Sequence, residues 1–192
     1  MRKVILVSNL TLDGAIAGPA GELDWMLMDH ELNVEFTERL RAEVDTMIAG
    51  RKAYHQLNEA FSAQATHPDS PLELVEFATW MVRTPKIVFS RTLTDLLSPG
   101  DRLATEDIPA EMKAVKETEG KGLVLFGGVE TAQQFVRHGV VDEYWLKLYP
   151  VALGNGQPLF TDLLQRAELE LADAKTYSSG IVTLRYVPRN PR

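Results

Sequence analysis

The spacing of hydrophobic residues along this chain alternates between two patterns. Short apolar runs bounded by turn residues predict buried strands, and apolar residues that recur every three or four positions predict helices between them. The predicted strands are residues 4–7, 46–49, 86–90, 123–126 and 144–149. Strands that alternate with helices are typical of an α/β domain, so we expect a layered fold around a mainly parallel sheet.

Helix boundaries follow from the same spacing and from capping residues. Phe36, Leu40 and Val44 recur every four residues with charges between them, which predicts an amphipathic helix ending near residue 45. The run Ser70-Pro71-Leu72-Glu73 supplies a capping serine, a proline at the first helical position and an acid, so a helix should continue to about residue 82. Two more helices are predicted over residues 109–120 and 129–139.

The C-terminal part predicts an antiparallel hairpin. Apolar and polar residues alternate over 168–171, Ser178-Ser179-Gly180 forms a turn, and residues 181–187 return. This hairpin makes the expected sheet a mixed one. The length of 192 residues fits a single domain over residues 1–192.

Charge and composition narrow the classes of function. Lys and Arg number 20 against 27 Asp and Glu, which gives a net charge of −7 and argues against a nucleic-acid-binding surface. The N-terminus has too few consecutive apolar residues for a signal peptide or a membrane span. Cysteine is absent and the four histidines are scattered, so we expect a cytoplasmic protein without a metal site.

A pair of glycines is the strongest local feature. Gly127 and Gly128 follow the predicted strand 123–126 and precede the helix 129–139. The first N–H groups of a helix have no partner inside the helix, and glycines let a diphosphate approach them. A tight strand-to-helix turn without a ligand explains the pair equally well from the sequence.

Cationic residues follow two other predicted strands. Gly50-Arg51-Lys52 comes directly after one strand, and Ser90-Arg91 ends another. Ligands gather beyond the carboxyl ends of parallel strands, so these cations are candidates to neutralise the 2′-phosphate that distinguishes NADP from NAD. The alternative is a solvated basic rim.

Five segments together resemble a known family. Residues 6–17, 48–54, 86–93, 125–128 and 148–156 carry short motifs in the order seen in dihydrofolate-reductase-like proteins. The resemblance is closer to the branch related to the reductase domain of the bifunctional riboflavin-biosynthesis deaminase-reductase, and it covers nearly the whole chain. It implies a three-layer α/β domain, with helices on both faces of the sheet, and NADPH as the cofactor.

The resemblance also implies which residues contact NADPH. Those implied at the ribose, the 2′-phosphate and the adenosine are Gly50, Arg51, Lys52, Ser90 and Arg91. Those implied at the diphosphate are Phe126, Gly127, Gly128, Val129, Glu130 and Thr131. Those implied beside the nicotinamide are Asn9, Ile16 and Ala17. An asparagine suits the nicotinamide carboxamide because its side chain both donates and accepts hydrogen bonds.

A reductase of this type holds a flat heterocycle against the nicotinamide and supplies a proton to balance the hydride. Glu35 and Asp24 are the acidic candidates for catalysis, and Asp13 and Trp25 are candidates to bind the substrate. Asp24 as a helix cap and Trp25 as a core residue are the alternatives. Outside the cofactor candidates, the sequence shows no second cluster of Arg and Lys that would receive a ribose phosphate.

We therefore expect an NADPH-dependent reductase of a pteridine or diaminopyrimidine-type substrate. The leading named reaction is that of 5-amino-6-(5-phosphoribosylamino)uracil reductase in riboflavin biosynthesis. Dihydrofolate reductase and a nucleotide-binding module without turnover are the alternatives. The sequence has no cysteine ligands for a deaminase zinc site, which favours a reductase alone.

Two aromatic residues bear on self-association. Trp145 and Tyr149 alternate onto one face of the predicted strand 144–149. Either they form an exposed apolar patch that supports a homodimer, or a helix covers them.

Overall fold

The computed structural model describes residues 1–126 and 128–189, and this part of the chain forms ten strands and five helices. The strands are β1 (Val4–Thr11), β2 (Ala15–Ala17), β3 (Val44–Gly50), β4 (Lys86–Phe89), β5 (Arg102–Leu103), β6 (Gly122–Phe126), β7 (Glu143–Tyr149), β8 (Gln157–Pro158), β9 (Leu169–Thr176) and β10 (Val182–Pro188). The helices are α1 (His30–Glu43), α2 (Arg51–Thr66), α3 (Leu72–Arg83), α4 (Ile108–Lys116) and α5 (Val129–Arg137). None of the described helices combines the length and the apolar character that crossing a lipid bilayer requires.

Eight strands form one mixed sheet in the order β5-β4-β3-β6-β1-β7-β10-β9, and β2 pairs with β8 separately. The strands from β5 to β7 run parallel, whereas β10 is antiparallel to β7 and β9 is antiparallel to β10. The predicted α/β class, the mainly parallel sheet and the C-terminal antiparallel hairpin are therefore confirmed. Because β4, β3, β6 and β1 are parallel neighbours, their carboxyl ends lie at one edge of the sheet.

Helices cover both faces of this sheet, as the three-layer prediction requires. On one face, Met112 of α4 and Phe135 of α5 are buried in a cluster with Leu6 of β1. On the other face, Leu40 of α1 and Met81 of α3 are buried in a second cluster. Successive side chains of a strand point to opposite faces, so the apolar residues 4–7 of β1 contribute to both clusters.

Three predicted helix boundaries are wrong. Helix α4 ends at Lys116, not near residue 120. Val44 does not end α1 but begins β3, where it pairs with Gly122 of β6. A β-branched residue at helical spacing fits either element, and here pairing with the sheet decides. Pro71, not Ser70, is the N-cap of α3, because the Ser70 hydroxyl accepts a hydrogen bond from Nε2 of Gln64 instead.

Several elements have no predicted counterpart. Helix α2 was not predicted, although Tyr54, Leu57 and Phe61 recur at helical spacing within it. Strand β1 continues to Thr11, beyond the predicted end at residue 7. Strands β2, β5 and β8 have only two or three residues each, which is too short to leave a periodic pattern.

A buried polar network ties α2 to the segment after β4. The Tyr54 hydroxyl donates to Oδ2 of Asp101 (2.7 Å) and accepts from the N–H of Leu97 (2.6 Å). The N–H of Lys86 donates to the other carboxylate oxygen of Asp101 (2.9 Å). Burial, together with the Asp101 contact, raises the pKa of Tyr54 to about 12. The phenol therefore remains a donor to a carboxylate that is itself buried.

We expect Tyr54→Phe to lower the free energy of unfolding by about 1–3 kcal/mol, because it leaves the buried Asp101 carboxylate and the Leu97 N–H each without one partner. Urea unfolding at neutral pH measures this change. Tyr186→Phe, at a half-buried position in the C-terminal hairpin, is the matched control. Equal stability of the two variants would show that the network contributes nothing.

Candidate functional site

Two helix amino termini meet at the carboxyl edge of the sheet. Gly50 is the N-cap of α2, which begins directly after β3, and Gly128 is the N-cap of α5, which comes after β6. Strands β3 and β6 are neighbours, so the two helix ends lie side by side. Gly127 of the predicted Gly-Gly pair lies outside the described residues.

The backbone at these two glycines is closely packed. A Cβ atom at Gly50 would clash with Oγ1 of Thr131, so Thr131 packs directly on the Gly50 backbone and holds the two helix ends together. A Cβ at Gly128 would lie 3.6 Å from Cβ of Ala53, and Gly128 has a φ of 77° that favours glycine. The first N–H groups of both helices, which lack partners inside the helix, therefore lie in one region.

The charges at the α2 end are suited to an anion, whereas the first turn of α5 contains the acidic residue Glu130. Arg51 and Lys52 occupy the first turn of α2 and are exposed, and that turn has no acidic residue. Cations at a helix amino terminus oppose the helix dipole, which favours negative charge there. By contrast, α1 and α4 are capped by Asp29 and Asp107. An anionic ligand at the α2 end would balance both the dipole and the two cations.

The end of β4 adds another cation at the same edge. Strand β4 is the parallel neighbour of β3, so Ser90 and Arg91 follow their strand beside Gly50. The Ser90 hydroxyl accepts from the N–H groups of Thr92 (3.2 Å) and Leu93 (3.0 Å), which fixes the turn after β4. Arg91 is exposed on this turn. The structure thus brings Arg51 and Arg91 to one edge, as the sequence analysis expected of both.

Asn9, near the end of β1, makes only a weak contact within the described residues. Its Nδ2 donates to Sδ of Met26 (2.9 Å), and a thioether is a poor acceptor. Asn9 is paired in register with Lys147 of β7, so the two side chains share a face of the sheet. Ile16 and Ala17 lie in β2, where Ala17 pairs with Gln157 of β8. Because the Met26 thioether is a poor acceptor, the Asn9 amide is able to exchange it for a ligand carboxamide.

Neither acidic candidate for catalysis has the surroundings of a proton donor. Glu35 is exposed in the interior of α1 and accepts from Nζ of Lys175 (2.5 Å) and from the hydroxyl of Tyr177 (2.9 Å). The Lys175 contact, followed by that of Tyr177, holds the pKa of Glu35 below its usual range, so this carboxylate is ionised at neutral pH. Asp24 is exposed in a loop, and the cap of α1 is Asp29.

The two candidates for substrate binding are engaged within the protein. Asp13 accepts from the hydroxyl of Thr11 (2.5 Å) and from the N–H groups of Leu153 (3.1 Å) and Gly154 (2.6 Å), so it ties two loops together. Trp25 is half-buried, and its ring meets that of Tyr149 edge-on with centroids 5.4 Å apart. The core interpretation of Trp25 is therefore the one that its contacts support.

The exposed patch considered for a homodimer does not exist. Trp145 and Tyr149 are each 5% exposed. Phe36 of α1 packs edge-on against Trp145 with ring centroids 6.1 Å apart, and Trp25 covers Tyr149. The alternative that other elements cover these residues was the correct one, because α1 and the loop before it lie across β7. The homodimer prediction thereby loses its basis.

Sequence reasoning missed a second group of cations. A cavity of about 110 Å³ lies between α1 and the strands β7, β9 and β10. Its cationic lining residues are Arg39, Lys147, Lys175 and Arg185. They are far apart along the chain, and only the register of β7 with the antiparallel hairpin brings them together. The one available signal was that Lys147 shares the buried face of β7 with Trp145 and Tyr149.

The strand order and the two helix-covered faces define a dihydrofolate-reductase-like fold. The chain belongs to the RibD C-terminal domain family, whose model matches residues 2–183. The uncharacterized protein YyaP of Bacillus subtilis strain 168 is 35% identical over 185 residues, which cover 96% of this chain and 94% of YyaP. The uncharacterized protein YwjB of the same strain is 26% identical, over 97% of this chain and 98% of YwjB.

Solved structures share the fold. A candidate riboflavin biosynthesis protein of Shewanella sp. PV-4 superposes with a TM-score of 0.71 at 23% identity, covering 98% of this chain and 99% of that one. A bifunctional diaminohydroxyphosphoribosylaminopyrimidine deaminase/5-amino-6-(5-phosphoribosylamino)uracil reductase of Thermotoga maritima has a TM-score of 0.67 at 17% identity. This second match covers 97% of our chain but 56% of the bifunctional enzyme, so our chain spans little more than half of its length.

The buried charge of Lys147 has a measurable effect on stability. Burial lowers the pKa of Lys147 to about 8, so the folded state gives up this proton more readily than the unfolded chain. The charged groups that face it line the same cavity: Glu35, Arg39, Asp173, Lys175 and Arg185, with the phenol of Tyr177. The cost of the buried charge is present in full below pH 8 and is relieved as the pH rises from 8 toward the unfolded pKa.

We expect Lys147→Met to raise the free energy of unfolding at pH 7 by an amount on the order of 3 kcal/mol. The difference from the parent protein should shrink between pH 8 and pH 10, where the parent loses the charge. Urea unfolding across this pH range measures both. Lys113→Met, at an exposed position on α4, is the control and should change stability little. A destabilised Lys147→Met protein would contradict the assignment of an unfavourable buried charge.

Proposed function

We propose that this chain is a nicotinamide-dependent reductase that uses NADPH. The observation that carries the proposal is the meeting of two glycine-capped helix amino termini, at Gly50 and Gly128, beside the cations Arg51 and Lys52. Backbone N–H groups and helix dipoles at such a place favour the diphosphate of a dinucleotide. Membership of the RibD C-terminal domain family supports the same chemistry.

The residues present fit each part of NADPH. The space beside Gly128 has room for a diphosphate because a glycine there has no side chain, and the first-turn N–H groups of α2 and α5 would hold it. Arg51, Lys52 and Arg91 would neutralise the 2′-phosphate. Asn9 would hold the carboxamide, since its only acceptor among the described residues is the Met26 thioether. When bound, NADPH supplies the hydride, and the protein positions the reacting groups.

The substrate that we propose is a pteridine or diaminopyrimidine-type heterocycle. The bifunctional Thermotoga maritima enzyme, which shares this fold, is a uracil-derivative reductase as well as a deaminase. Between β1, β7 and α1, the Lys147 amine shares a face with the Asn9 amide, which would hold the nicotinamide. An amine suits the ring nitrogens and carbonyl oxygens of such heterocycles. Dihydrofolate is the less favoured substrate, because both carboxylate oxygens of Glu35 on α1 already accept hydrogen bonds, from Lys175 and Tyr177, rather than being free for a pterin amino group.

Calorimetric titration with NADPH and with NADH tests the cofactor. We expect the parent protein to prefer NADPH, and Arg51→Met to weaken NADPH binding by about tenfold with little effect on NADH, because only NADPH carries the 2′-phosphate. Arg137→Met, in the last turn of α5, is the matched control and should bind as the parent does. Equal losses of affinity for NADPH and NADH in Arg51→Met would show that Arg51 does not bind the 2′-phosphate. Failure of the parent protein to bind either nucleotide would overturn the proposal.

Gly128→Val tests the diphosphate position. The branched side chain would occupy the space before the amino terminus of α5, so we expect NADPH binding to be lost. Because a valine at positive φ is also strained, Gly180→Val in the hairpin turn, at a φ of 87°, is the control for stability alone. Both variants should be destabilised, but Gly180→Val should keep its affinity. Unchanged affinity of a folded Gly128→Val protein would reject the junction as the diphosphate site.

Multiple-turnover assays then separate a reductase from a nucleotide-binding module. NADPH oxidation with a phosphoribosylamino-pyrimidine or with dihydrofolate, monitored at 340 nm, gives the substrate class. We expect turnover with the pyrimidine. Tight NADPH binding without turnover on either compound would favour the module.

A further inference from the structure

The cavity under α1 is positively charged within an acidic protein. Its walls are the side chains of α1 on one side and those of β7, β10 and β9 on the other. Four of its lining residues are cations and two, Glu35 and Asp173, are carboxylates. The chain as a whole has a net charge of −7, so this local excess of cations runs against the overall balance.

Lys147 is the first of two cations in this cavity that have a donor without a hydrogen-bond partner among the described residues. Its side chain is 9% exposed, and its Nζ lies 3.6 Å from the centroid of the Phe36 ring. The aromatic face offsets part of the charge. An ammonium group needs hydrogen-bond acceptors when it leaves water, and a ring supplies none of the usual kind. The lysine is therefore placed for an acceptor that enters the cavity.

Arg185 is the second cation. Its Nε is buried and has no hydrogen-bond partner within the described residues, and its Nη1 lies 4.0 Å from Oε2 of Glu143. That carboxylate already accepts from Nζ of Lys3 (2.6 Å) and from Nε1 of Trp145 (3.0 Å). A buried donor without a partner is uncommon in folded proteins, and each case calls for an explanation.

The carboxylates of the cavity do not neutralise these two cations. Glu35 is bound by Lys175 and Tyr177, and Asp173 lies 3.9 Å from Nη1 of Arg39. Both acids are therefore matched with other partners. Lys147 has no carboxylate partner among the described residues, and Arg185 has only the Glu143 carboxylate at 4.0 Å, which it shares with Lys3 and Trp145. The two cations lie on neighbouring strands, since Lys147 pairs in register with Thr183, two residues before Arg185.

We propose that this cavity is an anion-binding subsite in which Lys147 and Arg185 hold one phosphate or carboxylate group of a bound molecule. This proposal extends the proposed function. It rests on that function only in one respect, namely that the bound molecule is the substrate of the reductase. It corrects the expectation that the chain has no second group of cations to receive a phosphate. Arg39 and Lys175, which already bind acidic partners, would form the rim of the subsite.

The sheet fixes how such a substrate would lie. Asn9 and Lys147 are paired on adjacent strands, and Arg185 is on the next strand. Neighbouring strands are about 4.8 Å apart, so a heterocycle beside Asn9 would reach the subsite with an anionic group about 5–10 Å away. A heterocycle joined to a phosphorylated sugar, or to a chain ending in a carboxylate, has this form. A bare heterocycle would leave both cations unmatched.

The test uses inorganic phosphate and acetate, each titrated at constant ionic strength. The strand-edge helix termini also attract anions, so the readout has to be local: the indole N–H resonance of Trp145, which lines the cavity, in two-dimensional NMR. We expect one of the two anions to shift this resonance with saturation. Phosphate would identify a phosphate monoester as the recognised group, and acetate a carboxylate; either result supports the subsite.

Variants make the assignment specific. Lys147→Met and Arg185→Met should each raise the dissociation constant of the anion, measured from the Trp145 resonance, at least tenfold. Lys147→Arg should keep the affinity of the parent protein, and so should Lys113→Met on α4. Lys147→Met is expected to fold, because it removes a buried charge. An unresponsive Trp145 resonance in the parent protein, or unchanged affinity in both methionine variants, would overturn the proposal.

The two proposals fail separately. Anion binding that depends on Lys147, in a protein that binds neither nicotinamide nucleotide, would keep the subsite and remove the reductase. NADPH binding without a Lys147-dependent anion response would keep the reductase and remove the subsite.

Discussion

Parallel pairing of β4, β3, β6 and β1 is the constraint on which the candidate site depends. It places the last residue of each strand at one edge of the sheet, so the segments that follow these strands begin close together although they are far apart in sequence. The approach of Gly50 to Thr131 then sets the spacing of α2 and α5. A side chain at Gly50 would clash with Thr131 of α5. Much of the proposed NADPH site thus consists of backbone that the sheet positions, and the side chains Arg51 and Arg91 add charge.

The electrostatics of the molecule are local rather than global. A net charge of −7 excludes a broad basic surface, yet two confined regions are cationic: the strand edge and the cavity under α1. The first is exposed and suits a flexible, highly charged cofactor, which salt would screen. The second contains the buried Lys147, and at a buried position charges interact more strongly and leaving one unmatched is costly. The strand edge would therefore hold an anion by several solvent-exposed contacts, and the cavity under α1 would hold another by the two cations Lys147 and Arg185.

The parts of the site that could be predicted from sequence are those in which the residues of a local pattern themselves form the structure that the pattern indicates. An apolar run that leads to Gly50, or to the glycine pair that ends in Gly128, indicates both the end of a strand and the start of a helix. Glu35 shows why the rest could not be predicted: its isolated sequence context fits a catalytic acid, but Lys175 arrives from the hairpin and holds it ionised. Lys147 and Arg185 are likewise placed together only by antiparallel pairing of β7 with β10. The local spacing of residues does not indicate which distant strand a segment pairs with.

Lys147 connects stability with function in this fold. A methionine or leucine would fill the same place on β7 beneath Phe36 without the cost of a desolvated charge. Burial of the protonated lysine therefore costs stability, which the contact with the Phe36 ring offsets in part. An anion that enters the cavity would offset more of this cost, because it binds the folded state alone and so stabilises it. The position that weakens the free protein is then the position at which a ligand gains most from binding, as functional sites commonly show.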